Sequence, residues 1–317
     1  MTIGGRLQRV LRAVLIRRPA VPAGRDLPAA PPGTTFRVTF LGNATLLFDD
    51  GTTQLLTDGF LSRPGALRTA IGHVNSDPKV VDSCLQRAGV TRLAAVFPLH
   101  SHYDHVLDAP TVALHTGAQL LGSSSTAMVG LGSGVPERQL VVVSEGQRYP
   151  FGRFTLTPIV SGHVPPVRLA GTIDSPLRVP ASVRSYRMAT CYSLLVEHDG
   201  RRILVQGSAG AIPGSFAGYD ADVVYLAVGA LSKQPRQYQD RYWDDVVGAI
   251  GARRVLPIHW DDFSRPLSGK LVPLPYLLDN FGAILRFLDS RAAEPRIDVR
   301  IPQAWVAVDP FTQLSRR

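Results

Sequence analysis

The stretch FPLHSHYDHVLD, Phe97 to Asp108, decides how this chain is read, because its centre, His100-Ser101-His102-Tyr103-Asp104-His105, gathers three histidines and an aspartate into six positions. Side chains two apart on an extended segment share a face, so His100 and His102 can converge on one ion from the end of a strand. Asp104 and His105 fall where the chain should curl into a helix through Val106 and Leu107, and so point to a neighbouring position. The spacing predicts two adjacent metal sites, against the blander reading of a solvated histidine-rich loop. The apolar run from Leu93 to Pro98 reads as a buried central strand that delivers the motif at its carboxyl end, where loops of α/β folds carry function.

Two further histidines follow strand-like runs: Gly162-His163 after FTLTPIVS, and Pro257-Ile258-His259 after RRVL. With them, H-x-H-x-D-H behind a short apolar strand resembles the signature of the metallo-β-lactamase fold hydrolases, which carry an ordered series of ligands on successive strand ends. The likeness runs from about Phe36 to Trp305. Within it, PIHWDDF and FLGNATLLF are most similar to the branch containing L-ascorbate-6-phosphate lactonase and N-acylphosphatidylethanolamine phospholipase D. The resemblance implies an α/β fold, a four-layer αββα sandwich of two mixed sheets flanked by helices. It also implies that Asp58, at a strand end, supports the site from behind.

The ligand inventory assigns His100, His102 and His163 to a first metal and Asp104, His105 and His259 to a second. Asp104 is also placed to orient or deprotonate the nucleophilic water, and Asp108, one helical turn on, is a candidate to hold a ligand imidazole by its other nitrogen. A histidine-rich, carboxylate-poor set favours zinc over iron. An ion held by neutral imidazoles keeps its charge and lowers the pKa of a bound water toward ~7, so the expected reaction is hydrolysis by hydroxide of an ester, lactone or phosphodiester. One departure from the family stands out. Gly207-Ser208 occupies the place of a Gly-Asp whose aspartate bridges two metals, so Ser208 predicts one tightly held zinc and a weak second site. Two other classes remain open: a degenerate, non-catalytic metal-binding member, and an iron redox enzyme on the same scaffold.

Composition fits one enzyme-sized domain over residues 36–317, with 45% hydrophobic and 19% charged residues in a chain of 317. No apolar run approaches the eighteen or so residues of a membrane span. The net charge of +9 rests on arginine, with lysine at 79, 233 and 270 alone, which reads as a compositional habit; no nucleic-acid motif accompanies it. Cys84 and Cys191 read as small buried apolar residues in a cytoplasmic protein. Residues 1–35 differ from the rest. A basic amphipathic segment with Ile3, Leu7, Val10, Leu11, Val14 and Leu15 on one stripe, and Arg6, Arg9, Arg12, Arg17 and Arg18 beside it, leads into a Pro/Ala/Gly linker. Residues 1–18 therefore suit peripheral contact with an anionic membrane surface, or packing on the enzyme body. Arg12 interrupts the apolar core that a secretory signal would need.

Elsewhere the pattern predicts two opening hairpins, a capped helix after Ser76, and a long helix from Pro275 to Ser290. Asn43 stands where the branch often has histidine. His73, His115 and His198 are set aside as ligands. Residues 164–190 hold four prolines before Ala181 and no sustained period, a long irregular connection directly after His163. Arg168, Arg178, Arg184, Tyr186 and Arg187 make it a cationic flap, and Arg184, Tyr186 and Arg187 are expected to grip a phosphate or carboxylate of a small-molecule or lipid substrate. The sequence leaves the oligomeric state open.

Overall fold

The central strand Leu93–Phe97 is apolar throughout because it is covered on both faces, and its neighbours follow from that burial. The computed structural model describes residues 17–293 and 297–314. Strands β1 (Arg37–Gly42), β2 (Thr45–Asp49) and β3 (Gln54–Thr57) form an antiparallel meander; β4 (His73–Val74) follows, then β5 (Leu93–Phe97), β6 (Gln119–Gly122) and β7 (Leu140–Val142). The second half contributes β8 (Tyr149–Phe151), β9 (Phe154–Ser161), β10 (Ala181–Ser182), β11 (Cys191–His198) and β12 (Arg201–Gln206). It ends with β13 (Val223–Ala227), β14 (Arg254–Ile258), β15 (Asp298–Val299) and β16 (Ala307–Val308).

Among the described residues these strands make two seven-stranded mixed sheets, ordered β16-β1-β2-β3-β5-β6-β7 and β15-β14-β13-β12-β11-β9-β8, plus a small β10-β4 ribbon. Helices flank both sheets, which is the sandwich the sequence predicts. The inner faces share one apolar core running from Phe36 and Val38 through Leu204 and Val224 to Leu288. FTLTPIVS is the second arm of a tight hairpin, β8 to β9, turning at Gly152 (φ 59°). One of the sequence expectations changes. The final helix spans Phe281–Ala292 and not Pro275–Ser290, because the Asn280 side chain caps Ala283 N at 3.1 Å while Asp279 is held by Ala230 N at 2.8 Å.

The two sheets are also joined at the far end from the motif. Asp50, in the turn between β2 and β3, is buried; it accepts hydrogen bonds from Thr52 N (2.8 Å) and Thr53 N (2.7 Å), and its other oxygen meets His198 Nε2 at 3.2 Å. His198 in turn stacks on Phe36, with ring centroids 4.8 Å apart. Burial pushes the Asp50 carboxyl up, but the Thr52 and Thr53 hydrogen bonds outweigh it and hold the group well below the usual carboxylate range. A depressed carboxyl stabilises the fold above its unfolded pKa and loses that contribution as pH falls through the folded value. Asp50→Ala should therefore cost on the order of 2–3 kcal/mol at neutral pH in urea denaturation. The gap to the unmodified protein should narrow as pH drops below about 4.

Candidate metal centre

The motif is pinned by backbone before it is shaped by side chains. Asp58, the residue after β3, donates its N–H to Phe97 O at 2.9 Å and accepts Leu99 N on Oδ1 at 2.8 Å; from the other sheet, Tyr192 N reaches Leu99 O at 2.8 Å. His102 is extended (φ −64°, ψ 150°) and caps a single helical turn, Tyr103–Val106, that carries Asp104 and His105. His163 follows β9, and the crossing there is so close that a Cβ on Gly210 would sit 2.5 Å from the His163 backbone. His259 follows β14.

These elements bring together two groups of three, His100/His102/His163 and Asp104/His105/His259, each with its ligand atoms within 4.8 Å of one another. His100 Nε2 and His102 Nδ1 lie 3.1 Å apart, and Asp104 Oδ2 is 3.6 Å from His105 Nε2 and 3.4 Å from His259 Nε2. Ligands on a tetrahedral ion with ~2.1 Å bonds stand about 3.4 Å apart, so the donor atoms already have the spacing of a shared cation. The far nitrogens are occupied: His102 Nε2 faces Arg168 O at 3.0 Å, His163 Nδ1 faces Val164 O at 2.9 Å, and His105 Nδ1 faces Asp58 Oδ2 at 2.7 Å. A proton on each of those nitrogens leaves the inward lone pairs free. The residues present fit a divalent metal.

Electrostatics agree with that fit. Burial, then the neighbouring histidines, pushes His100 well down; burial also lowers His102 and brings His163 down to about 4, so these rings are neutral and their lone pairs are available to a cation. Burial would raise Asp104, but His105 and His259 outweigh it and keep the carboxylate charged. Cys191 Sγ lies 4.0 Å from His100 Nδ1, and burial, followed by the Asp58 charge, pushes its thiol up to about 12. It is a protonated packing group beneath the first set.

Both sets face a cavity of about 690 Å³ whose wall includes Tyr103, Pro165, Leu169, Ser208, Phe263, Leu274 and Leu278, with Arg168 and Lys233 as its cations. The Ser208 hydroxyl accepts Val164 N at 3.1 Å. Asp58 stands directly behind His105. Asp108 does not hold an imidazole; it accepts Leu61 N (2.8 Å), Ser62 N (2.7 Å) and the Ser62 hydroxyl. The reason is local: the helical turn ends at Leu107 and Asp108 begins the next helix, Ala109–Thr116, so it turns away from Asp104. Arg184 and Arg187 are exposed and lie outside the cavity wall, and Tyr186 is buried with Phe60, Val74 and Val106. The β10-β4 pairing holds residues 181–187 on the outside, while residues 164–169 cross the cavity.

Sequence reasoning missed the device that places His259. Its N–H donates to Asn43 O at 2.7 Å, Asn43 N donates to Asp261 Oδ1 at 2.8 Å, and Asn43 Nδ2 donates to Asp104 O at 2.5 Å. Asp261 pairs at 2.7 Å with Arg63, both side chains wholly buried. Asn43, Asp58, Arg63 and His259 all have left-handed backbones (φ 52°, 55°, 49° and 59°), a conformation that persists only where surroundings over-determine it. A Cβ on Gly229 would meet His259 Nδ1 at 2.8 Å. Asn43→Ala and Gly229→Ala should each weaken metal binding at Asp104/His105/His259 by roughly 10–100-fold. They should leave His100/His102/His163 loaded. Metal titration of the folded variants reads this directly, and equal affinity at the second set would remove the positioning role.

Comparison with known proteins follows the same lines. Residues 53–260 match the family model described as Beta-lactamase superfamily domain. A UPF0173 metal-dependent hydrolase from Heliobacterium modesticaldum is 32% identical over 126 residues, covering 39% of this chain and 45% of that relative, so the match spans under half its length. Igni18, a metallo hydrolase from Ignicoccus hospitalis, superposes with a TM-score of 0.54 at 14% identity, covering 86% of this chain and 97% of that one. CmlA, a diiron β-hydroxylase from Streptomyces venezuelae, gives 0.53 at 14% identity, covering 87% of this chain and 54% of its own. The family model covers more than half of the chain and spans every residue of both candidate sets, so this chain belongs to the β-lactamase superfamily domain family and has the metallo-β-lactamase fold.

Proposed function

We propose that this protein is a zinc-dependent hydrolase of an ester, lactone or phosphodiester bond in an anionic substrate with an apolar body. The observation that carries the reading is the pairing of two converging three-ligand sets with a mostly apolar cavity whose cations are Arg168 and Lys233. When bound, a divalent ion would supply hydroxide near neutral pH and polarise the bond under attack. The protein's own groups do the rest. Asp104, held charged, can accept the hydrogen bond of the attacking water on the oxygen it does not give to the metal, and so aim it. Arg168 and Lys233 bind the substrate's anionic group, and the apolar wall around them excludes water and strengthens that attraction. The Tyr103 phenol, kept neutral by burial and then by the Asp104 charge, can donate a hydrogen bond to the oxygen on which charge develops.

The histidine-rich donor set supports zinc, and the metal-dependent hydrolase among the relatives supports hydrolysis. The diiron hydroxylase shares the fold, so iron is the reading that metal analysis must exclude. The two motifs carrying the resemblance to the lactonase and phospholipase branch meet in space, through Asn43, His259 and Asp261, which supports a place in that branch. The Ser208 hydroxyl, already engaged by Val164 N–H, supports a weak second metal site.

A zinc-loaded panel of phosphodiesters, lactones and carboxylic esters, some bearing acyl chains, should yield turnover that His163→Ala abolishes; inertness toward all of them would favour the non-catalytic alternative. On a turned-over anionic substrate, Arg168→Ala and Lys233→Ala should raise KM about tenfold or more with a smaller change in kcat, while Arg184→Ala and Arg187→Ala leave both near the starting values. Ser208→Asp should lift the metal content from near one toward two per chain; an unchanged content would show that the missing carboxylate is not what weakens the second site.

A further inference from the structure

A second cavity, of about 530 Å³, shares no wall residue with the one at the metal centre. The Pro/Ala/Gly linker supplies residues 21–24 and Asp26 to it, and the helix Pro78–Arg87 supplies Arg87. The rest of the wall is Trp260, residues 268–271 and residues 301–305. Residues 1–16, with the apolar stripe expected to meet a membrane, lie outside the described residues. The wall is held by the fold: Ile301 N donates to Arg25 O at 2.9 Å, Arg25 pairs with Asp289, and Trp305 N donates to Phe40 O at 2.9 Å. Trp305 has a left-handed backbone (φ 65°), which a bulky side chain keeps only under constraint and which gathers at ligand clamps and other functional sites.

The polar part of the wall is cationic. The Arg87 guanidinium carbon stands 4.0 Å from the Trp305 ring centroid, and one of its N–H groups donates to Leu267 O at 3.2 Å. Those contacts fix the plane of the fork and leave its other donors for a ligand. Lys270 is a second, exposed cation, and among the described residues neither it nor Arg87 has a carboxylate within ion-pair distance. Asp26 is the one acid of the wall, so two cations less one carboxylate leave a balance of +1. That balance suits a singly charged carboxylate better than a doubly charged phosphate. The apolar part, Trp260, Leu271 and Ile301, is buried, and Trp260 is backed by Phe281 in a stacked pair with centroids 4.8 Å apart. The indole N–H groups of Trp260 and Trp305 are buried with no acceptor among the described residues, so the wall holds two donors that the fold itself leaves unsatisfied.

We propose that this cavity binds an aromatic carboxylate, with its charge on Arg87 and Lys270 and its ring against Trp260, Leu271 and Ile301. A ring is favoured over an acyl chain because it can pack on indole and costs less to order. The volume lies within the range of small-molecule sites, about 300–1,000 Å³. The inference is independent of the hydrolase reading, because no member of either candidate metal set lines this cavity.

Calorimetric titration of the metal-loaded full chain with cinnamate is the test. Cinnamate should saturate a site that its uncharged amide, cinnamamide, fills at least about tenfold more weakly. Arg87→Gln should cost about tenfold in affinity and Lys270→Gln about threefold, whereas Asp26→Asn should tighten binding about threefold by removing the like charge. A purely structural role for Arg87, packed on Trp305, would not give Asp26→Asn that opposite sign. If circular dichroism shows Arg87→Gln to be misfolded, Lys270→Gln and Asp26→Asn carry the test through their opposite signs. No saturable binding, or equal affinity for cinnamamide, would overturn the proposal. So would binding that Arg168→Ala removes and Arg87→Gln leaves intact, which would give the anion to the metal centre.

Discussion

The Asp58 carboxylate is the contact on which the centre depends. One oxygen accepts the Leu99 N–H at 2.8 Å and the other faces His105 Nδ1 at 2.7 Å, and the residue itself is wholly buried. A carboxylate taken out of water is costly unless each oxygen has a partner, and here the partners are the backbone that carries His100 and the ring that carries the second set. Asp58 thereby couples the end of β3, the exit of β5 and the orientation of a ligand. Without it the Leu99 N–H and the His105 ring both lose their partner.

The same economy recurs on the opposite wall. The Arg63–Asp261 pair is wholly buried, and breaking a buried pair by removing one partner costs several kcal/mol, typically about 3–5. That cost makes the pair a rigid anchor for Asn43, and Asn43 fixes both the His259 backbone and the Asp104 carbonyl. The second ligand set is thus held by an asparagine at the place where the sequence resemblance expects a histidine. The first set relies on backbone carbonyls, from Arg168 and Val164, which also tie the irregular segment 164–169 to the metal ligands. Arg168 thus stands in the cavity wall and sets its carbonyl on the His102 ring.

Much of this was legible in the sequence, because it is written locally. The i, i+2 alternation of His100 and His102, the helical turn at Asp104 and His105, and strand ends at His163 and His259 need only neighbouring residues to be read. What escaped depends on contacts across the chain: Asn43 meets Asp261 across 218 positions, and no periodicity reports that. Asp108 misled because helical projection assumes an unbroken helix, whereas the chain ends one at Leu107 and starts another at Ala109. In the flap, charge alone could not tell Arg168 from Arg184 or Arg187; the two-residue pairing of Ala181 and Ser182 with Val74 and His73 decides which arginines face outward. His198, set aside as a ligand, is buried and joins the two sheets through Asp50.

The central claim is that two imidazole-rich sets, unequal in strength, hold zinc at the mouth of one cavity. Anomalous diffraction from crystals of the purified protein, recorded on both sides of the zinc edge, tests it most directly. The account predicts a strong zinc peak about 2.1 Å from nitrogens of His100, His102 and His163, and a weaker one at Asp104, His105 and His259. Two peaks of equal strength would contradict the role given to Ser208. A signal at the iron edge, or none at either set, would contradict the zinc centre itself.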